Sequence, residues 1–386
     1  MFDVRKIKFN EPAFHEEAYK KWGRDYPRDF FDRQQQKAAV QDVLLDLNVR
    51  RAIFIYGERR AGKTSMLQYL VTKFQNEYPT AVLASLPYHG VSSATKFFQE
   101  LEKVLCNTLP AASSGSNSEH LSASHIQTDI IPKLQENGFR PILIYIDEFD
   151  NLLRELRKTS PNDANEVLGF FLTLIENPDL PVKTIFTTVQ PLDATGFTSP
   201  LSTKALHLVM SPFEEEDAID MMQTMLKTGV TWDDLISILD IKAICRLAGC
   251  WPYFLKALLT HLAQTEPSPQ WLDQAKEKTL RDVNVSNTLM HVYQNHFDED
   301  ERAVMLWLAN EGGKLTNEKL SLTVPSLLPA AQQLEKRFFL KEEEDGIVFR
   351  TDILYDWFKH WGEFKEEWKK YRYKTLPIKG TEPLRY

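Results

Sequence analysis

Residues 57–64 constrain this chain more than any other feature. They read Gly57-Glu58-Arg59-Arg60-Ala61-Gly62-Lys63-Thr64 and fit the G-x-x-x-x-G-K-S/T pattern of a phosphate-binding P-loop. The apolar residues 52–56 predict a buried strand before the loop, and the spacing of apolar residues in 65–73 predicts a helix after it. Backbone N–H groups and the positive end of that helix would surround a phosphate. A chance glycine turn is the alternative interpretation.

The loop supplies the residues that we expect to bind a nucleotide. Lys63 would reach the β- and γ-phosphates and serve catalysis, and the Thr64 hydroxyl would coordinate Mg²⁺. The complete predicted cradle consists of Gly57, Glu58, Arg59, Arg60, Ala61, Gly62, Lys63, Thr64 and Ser65.

A second motif supports the first. Residues 141–146 form an apolar run that predicts a buried strand, and Asp147 and Glu148 follow it directly. A strand that delivers two carboxylates at its C-terminal end fits the metal half of an NTPase site. We expect Asp147 to hold Mg²⁺ through water and Glu148 to act as general base on the attacking water. The alternative is a strand that ends in two solvated acids.

Length and composition limit the classes to which this chain can belong. At 386 residues we expect two or three domains. The formal charge of −8 argues against a protein that coats nucleic acid, although a local basic patch is compatible with it. Cys106, Cys245 and Cys250 show neither metal-ligand nor disulfide spacing, which predicts a reduced, cytoplasmic chain. No secretion signal and no apolar run near the ~18 residues of a membrane span are found, so we expect no membrane association.

Alternating strand and helix patterns predict an α/β fold with a parallel sheet covered on both faces. Further strands are expected at residues 81–86, 182–189 and 205–210. The expected organisation is an N-terminal segment at 1–28, a P-loop core at 29–210 with a flexible loop at 111–124, a helical lid at 211–293, a winged-helix domain at 294–365 and a basic tail at 366–386.

The acidic pair and an additional strand resemble the additional-strand, catalytic-glutamate division of P-loop NTPases. In that division an extra strand separates the P-loop strand from the acidic strand, and residues 81–86 lie between the two motifs in sequence. A polar residue at the end of the next strand senses the γ-phosphate. The candidates are Thr187, Thr188 and Gln190, of which we favour Thr188. The alternative is a strand that merely ends in threonines.

The C-terminal half is predicted to be helical and then mixed. Gly249 can end one lid helix, and Pro252 can occupy the first turn of the next. Asp298 starts a further helix. A short helix, a longer helix at 326–336 and two strands joined by an acidic turn at 342–346 then follow, an order typical of a winged helix.

Together these features resemble the archaeal-type ATPases of the STAND group, which are related to AAA+ and origin-recognition ATPases. The resemblance covers residues 29–361 and rests on Gly-x-Arg-Arg-x-Gly-Lys-Thr-Ser at 57–65, on Asp147-Glu148-Phe149 and on the winged helix. It implies ATP/ADP and Mg²⁺ as cofactors. No Asn/Thr-Lys-x-Asp element for guanine is found.

The resemblance also implies two contacts to the adenine base. One is the upstream element Phe31-Asp32-Arg33, in which Arg33 is the candidate binding residue. The other is Pro252 in the lid segment Gly249-Cys250-Trp251-Pro252-Tyr253. Cys250 and Trp251 depart from the usual Gly and His of that segment.

No arginine can be assigned as an arginine finger. Arg154 and Arg157 follow the acidic pair, and a solvated helix face is the favoured interpretation for both. Arg59 and Arg60 lie within the loop and could face a neighbouring subunit or a nucleic acid. A structural or surface role is equally open for them.

The predicted winged helix is poorly charged for DNA. Its presumed recognition helix carries Lys336 and Arg337 beside Glu335, and its wing carries four acids that would repel phosphates. DNA-reading helices combine phosphate contacts with base-reading side chains. We therefore favour contact with protein, or packing within the chain, over DNA binding.

Three functions are compatible with this sequence. The leading hypothesis is an ATP-binding and ATP-hydrolysing switch of the STAND or AAA+ kind, which couples nucleotide state to a protein partner or to self-association, as in a signalling or defence regulator. The alternative is an ATP-dependent DNA-binding ATPase of the origin-recognition or transposition-regulator kind. The third is a nucleotide-bound scaffold that does not hydrolyse, against which the glutamate at position 148 argues.

Overall fold

The computed structural model describes residues 7–9, 33–86, 90–107, 122–228, 241–265, 270–321, 327–360, 367 and 369–371. Phe31 and Asp32, most of the expected N-terminal segment, most of the expected 111–124 loop and most of the expected tail lie outside these residues. The described residues form two compact units. The sheet unit comprises residues 33–58 and 62–210, and the C-terminal unit comprises residues 7–9, 59–61 and those from 211 onward.

The strands are β1 (Ile7–Phe9), β2 (Ala52–Tyr56), β3 (Val82–Leu86), β4 (Ile142–Ile146), β5 (Val182–Thr188), β6 (Ala205–Val209), β7 (Leu226–Thr228), β8 (Lys314–Thr316), β9 (Leu340–Glu343) and β10 (Gly346–Phe349). The helices of the sheet unit are α1 (Gln34–Leu45), α2 (Lys63–Glu77), α3 (Ala94–Cys106), α4 (Ala123–His125), α5 (Ile131–Glu136), α6 (Phe149–Thr159), α7 (Pro161–Glu176) and α8 (Pro200–Thr203). The helices of the C-terminal unit are α9 (Glu215–Met225), α10 (Ile241–Ala248), α11 (Pro252–Ala263), α12 (Trp271–Arg281), α13 (Val283–Asn295), α14 (Glu299–Asn310), α15 (Asn317–Ser321), α16 (Leu327–Lys336) and α17 (Asp352–His360).

Strands β2 to β6 form a parallel five-stranded sheet in the order β3-β4-β5-β2-β6, which confirms the expected α/β fold. An additional strand separates the P-loop strand β2 from the acidic strand β4, and this strand is β5. All side chains of β5 are buried, as expected for a strand covered on both faces. The strand that lies between the two motifs in sequence, β3, is at the edge of the sheet, so its use as the intervening strand is wrong, because position in sequence does not set strand order.

Buried aromatic rings fix the connection between β4 and α6, which carries the acidic pair. Phe149 directly follows Glu148, and its ring stacks on Phe186 of β5 with the centroids 4.3 Å apart. Phe171 of α7 packs edge-on against Phe186 at 4.8 Å, and Phe54 of β2 lies 5.0 Å from it. Because this cluster is closely packed, the carboxylates start from a rigid backbone.

Lys183 is a buried lysine near the start of β5, and its side chain is a structural element. It is 3% exposed, and its ammonium group donates hydrogen bonds to the carbonyls of Val43, Asp46 and Val49 at 2.7, 2.6 and 2.6 Å. Burial lowers the pKa of Lys183 to about 8, and the charge of Arg50 acts in the same direction. One side chain thus ties the end of α1 to the central strand.

Replacing Lys183 by Met should lower the free energy of unfolding by about 2–3 kcal/mol, because the three carbonyls lose their donor while the volume stays similar. Urea unfolding of the variant measures this. Lys204→Met is the matched control, since this lysine is exposed and contacts only Glu176 among the ion pairs of the described residues. It should change stability by less than about 0.5 kcal/mol. Equal effects would contradict the structural role of Lys183.

The C-terminal unit begins with helices and continues as a mixed subdomain. Strands β1 and β7 pair antiparallel, and β8, β10 and β9 form an antiparallel sheet in that order. Asp298 caps α14 through a capping box with Glu301, and Gly312 and Gly313 follow the end of that helix with φ of 84° and 91°. None of the described helices has the length and apolar character needed to cross a membrane.

The junction of α10 and α11 agrees with the expected helix boundaries. Gly249 follows the last residue of α10 in a left-handed conformation with φ of 58°, and Pro252 is the first residue of α11. Left-handed glycine stops a helix, and proline is tolerated in the first turn because its missing N–H has no partner to lose there.

Arg337, which the sequence groups with Lys336 on the presumed recognition helix, lies one residue beyond that helix and is buried. It is 8% exposed, and its Nη1 lies 2.7 Å from Oε1 of Glu301. Its guanidinium group lies 5.1 Å from the ring of Phe297 and 5.3 Å from that of Phe339. Arg337 turns inward because α16 ends one residue earlier and the chain then passes through Phe338 with φ of 64°.

Candidate nucleotide-binding site

Gly57 begins the loop where the backbone leaves no room for a side chain. Its N–H donates to the carbonyl of Thr188 at 3.3 Å, and a Cβ atom here would lie 2.8 Å from the carbonyl oxygen of Met210. Gly62 precedes α2 in a left-handed conformation with φ of 95°. Both outer glycines of the motif are thus required by the backbone itself.

Lys63 is the first residue of α2, and its side chain lies inside the loop. Its Nζ donates to the carbonyls of Gly57 and Glu58 at 2.8 and 3.0 Å. Burial lowers the pKa of Lys63, while Glu58, Asp150, Asp147 and Glu148 act in the opposite direction. A phosphate would be a stronger, charge-assisted partner than two neutral carbonyls, so this lysine fits a triphosphate.

Thr64 joins the loop to the acidic strand. Its hydroxyl donates to Oδ2 of Asp147 at 2.8 Å, and both residues belong to the sheet unit. Hydroxyl and carboxylate oxygens are the hard donors that Mg²⁺ takes, so the pair fits this ion. Ser65 completes the first turn of α2 and is half-buried.

The backbone of Glu148 is held in an unusual conformation. Its φ of 56° is left-handed, and its N–H donates to Oγ1 of Thr187 at 2.8 Å. One oxygen of its carboxylate accepts a hydrogen bond from Nδ2 of Asn151 at 2.8 Å. A left-handed glutamate persists only where its surroundings fix it, so the carboxylate has a defined position. Sequence reasoning missed Asn151, although its place three residues after Glu148 was a usable signal.

Thr187 and Thr188 have different environments at the end of β5. The Thr187 hydroxyl donates to Oδ1 of Asp147 and accepts from the N–H of Glu148. The Thr188 hydroxyl is fully buried and has no hydrogen-bond partner among the described residues. Thr187 therefore orients the acidic pair, and Thr188 does not contribute to this network within the described residues.

Thr187→Val should lower both the free energy of unfolding, by about 1–3 kcal/mol, and the rate of hydrolysis, because the N–H of Glu148 loses its acceptor. Thr188→Val is the matched control and should leave stability unchanged, since its hydroxyl makes no bond within the described residues. Urea unfolding and steady-state hydrolysis of both variants measure this. If Thr188→Val hydrolyses like the unchanged protein, Thr188 is not a γ-phosphate sensor.

The two arginines after the acidic pair have local partners. Arg154 forms an ion pair of 2.6 Å with Asp150, which is fully buried. Arg157 donates to the carbonyl of Gly196 at 2.7 Å, and its guanidinium group lies 3.7 Å from the ring of Phe197. The partly exposed Arg154 fits a solvated helix face, whereas Arg157 ties α6 to the segment after β5.

The remaining candidates are distributed over both units. Arg33 is 4% exposed and left-handed at the start of α1, while Glu58 and Ala61 are buried. Arg59 and Arg60 are exposed and lie in the C-terminal unit. Arg59 is 3.2 Å from His291 Nε2, Arg60 is 5.2 Å from the ring of Tyr253, and Pro252 begins α11.

The profile of a family described as "ATPase domain predominantly from Archaea" matches residues 30–258, more than half of the chain. Among curated proteins, the transcription termination factor Rho of Rhodopirellula baltica is 22% identical over 175 residues, which are 45% of this chain. The match spans only 33% of the length of that relative.

Two solved structures share the fold. The Walker-type ATPase paby2304 of Pyrococcus abyssi aligns with a TM-score of 0.57 and 17% identity over 86% of this chain and 96% of its own. The ORC2 protein of Aeropyrum pernix, solved as ADPNP-ADP complexes, aligns with a TM-score of 0.59 and 14% identity over 95% of this chain and 99% of its own. At these identities the likeness concerns the fold alone.

Proposed function

This chain belongs to the family of ATPase domains that come predominantly from Archaea, and we propose that it is an ATP-binding and ATP-hydrolysing switch of the STAND and AAA+ kind. One observation carries the proposal. A continuous set of hydrogen bonds runs from Thr64 to Asp147, on to Thr187, and from there to Glu148 and Asn151. The P-loop and the acidic pair thus form one preorganised group, which catalysis of phosphoryl transfer requires.

Each residue of this group has a distinct task in the proposed reaction. Lys63 binds the phosphates, and Thr64 and Asp147 hold Mg²⁺, which neutralises charge on the phosphate oxygens when it is bound. Glu148 orients the attacking water and accepts its proton, while Asn151 fixes the carboxylate. Turnover is slow unless a partner supplies a further cation, since an added arginine contributes about 10³–10⁵ in rate in P-loop enzymes.

The C-terminal unit would pass the nucleotide state to a protein partner or to another copy of the chain. We propose that α14 to β10 form a winged helix that contacts protein. The face that α16 exposes is nearly uncharged and consists of Leu328, Pro329, Gln332, Gln333 and Lys336. Lys314 of β8 pairs at 2.6 Å with Asp345 in the turn between β9 and β10, which leaves no excess of positive charge there. A DNA-binding face would need several phosphate contacts.

The experiment that tests this function measures nucleotide content and steady-state hydrolysis of the purified protein, with and without duplex DNA. The expected result is retained adenine nucleotide and slow hydrolysis that DNA does not stimulate. Lys63→Ala should lose both, whereas Lys73→Ala in the same helix should lose neither. Salt-dependent stimulation by DNA would support the origin-recognition or transposition-regulator alternative. Retained nucleotide without turnover would support a scaffold.

We also propose where in the cell this chain acts. All three cysteines, Cys106, Cys245 and Cys250, carry free thiols. Free thiols are typical of proteins in the reducing cytoplasm, where we propose that this chain acts.

A further inference from the structure

The end of α10 brings two cysteines together. The N–H of Cys250 donates to the carbonyl of Cys245 at 3.2 Å, and Gly249 between them is left-handed. A 6→1 bond around a left-handed glycine is typical of the Schellman motif, in which the side chains of the first and last residues frequently contact each other. The two thiols interact closely enough to shift each other's pKa in opposite directions. The two cysteines are five residues apart in sequence, and the left-handed turn folds residue 250 back towards residue 245.

Cys250 itself has a left-handed backbone, with φ of 55°. Only glycine adopts this conformation without strain. The thiol therefore stands at a position where a side chain is conformationally unfavourable, and packing alone does not require it there. Cys250 is half-buried and can be reached from solvent, whereas Cys245 is 6% exposed.

The two thiols have unequal acidity. The hydrogen bond from the Cys245 thiol lowers the pKa of Cys250, and the guanidinium group of Arg350 acts in the same direction, while burial, Glu215 and Glu214 oppose them. The same hydrogen bond and burial raise the pKa of Cys245. Cys250 is therefore the more readily ionised of the two thiols, and the thiolate is the nucleophilic form.

We propose that Cys250 and Cys245 form a peroxide-sensitive thiol pair that oxidises to an internal disulfide. The Cys250 thiolate attacks a hydroperoxide, the O–O bond breaks, and the products are a sulfenic acid on Cys250 and, after protonation, an alcohol or water. The Cys245 sulfur then attacks the Cys250 sulfur, its proton leaves with the displaced hydroxyl as water, and the S–S bond forms. The peroxide is reduced by two electrons and the thiol pair is oxidised by two. A dithiol reverses the reaction.

The turn that would be closed by this bond contacts three other parts of the C-terminal unit. The carbonyl of Cys250 accepts the N–H of Phe213 at 2.9 Å, and Trp251 stacks on Phe339 with the centroids 6.1 Å apart. Gly249 is so close to Thr351 that a Cβ atom would lie 2.5 Å from its Cγ2. Oxidation would therefore change the turn that contacts Phe213, Phe339 before β9 and Thr351 before α17.

The test exposes the full-length protein to limiting hydrogen peroxide, blocks the remaining thiols and digests with trypsin. Trypsin cleaves after Arg246, between the two cysteines, so the disulfide joins peptides 243–246 and 247–256. The expected result is the joined peptide and the loss of two titratable thiols, both reversed by dithiothreitol. In Cys245→Ser, dimedone should label Cys250 instead.

Cys106 provides the internal control, because burial raises its pKa and no other cysteine is near it in sequence. It should stay unmodified, and Cys106→Ser should form the joined peptide as the unchanged protein does. Lys63→Ala should also form it, so the result is independent of the proposed function. Absence of the joined peptide, or oxidation of Cys106 at the same rate as Cys250, would overturn the proposal.

Discussion

Glu148→Gln should lower the rate of ATP hydrolysis by about 10²–10⁴-fold and leave ATP bound, as expected for the removal of a general base. Glutamine keeps the shape of the side chain, and its carbonyl oxygen can still accept the hydrogen bond from Asn151. It cannot take the proton of the attacking water. The measurement is single-turnover hydrolysis together with the ratio of bound ATP to ADP.

Glu155→Gln is the matched control for this prediction. Glu155 lies on the same helix, α6, where its exposed carboxylate pairs with Lys158 at 2.6 Å. This variant should hydrolyse ATP like the unchanged protein. If Glu148→Gln also does so, Glu148 is not the base. If neither the unchanged protein nor either variant hydrolyses ATP, the switch is rejected and the result supports the scaffold hypothesis.

Arg337→Met should lower the free energy of unfolding by about 3–5 kcal/mol, the usual effect of removing one partner of a buried ion pair. Arg337 and Glu301 are 8% and 4% exposed, so the carboxylate would remain in the core without its counter-charge. Lys336→Met, one residue earlier and exposed, should change stability by less than about 0.5 kcal/mol. Urea unfolding of both variants measures the difference.

The destabilisation should depend on pH in a defined direction. Burial already raises the pKa of Glu301 above its ordinary 4.5, although Arg337 opposes this. The native state therefore binds more protons than the unfolded state between the two pKa values, and stability falls as the pH rises through that window. Without Arg337 the pKa rises further, so Arg337→Met should be more destabilising at about pH 8 than at about pH 5. An effect that is equal at both would argue against the ion pair.

This burial also bears on how DNA binding is tested. Charge reversal at Arg337 would disturb the core of the subdomain, so any loss of DNA binding would be ambiguous. Lys336 is exposed, so its substitution tests how a surface charge contributes to DNA binding without disturbing the core.

The sequence alone was sufficient to predict the structural features that depend on local residue patterns. The P-loop, the acidic pair and the parallel sheet follow from short motifs and from apolar runs, and Gly249 and Pro252 marked their helix boundaries correctly. The additional strand was expected, and its identity as β5 depends on strand order, which pattern does not encode.

The remaining features depend on tertiary geometry. Which of Thr187 and Thr188 faces Asp147 is decided by the pleat of β5, and either choice satisfies the sequence pattern. The burial of Arg337 depends on the rings of Phe297, which precedes α14, and of Phe339, which precedes β9. The contact between Cys245 and Cys250 depends on the left-handed turn at Gly249 and on the left-handed backbone of Cys250, a conformation that propensities disfavour for a residue other than glycine.

The close approach of Gly57 to Met210 has a consequence for judging divergent relatives of this chain. A Cβ atom at position 57 would clash with the carbonyl oxygen of Met210, the residue that follows β6, whether or not a phosphate is ever bound. A relative that had abandoned nucleotides altogether would therefore still need this glycine in order to fold. A glycine at position 57 therefore indicates only that the fold is kept. Loss of the lysine at position 63 would indicate that phosphate binding and hydrolysis are lost.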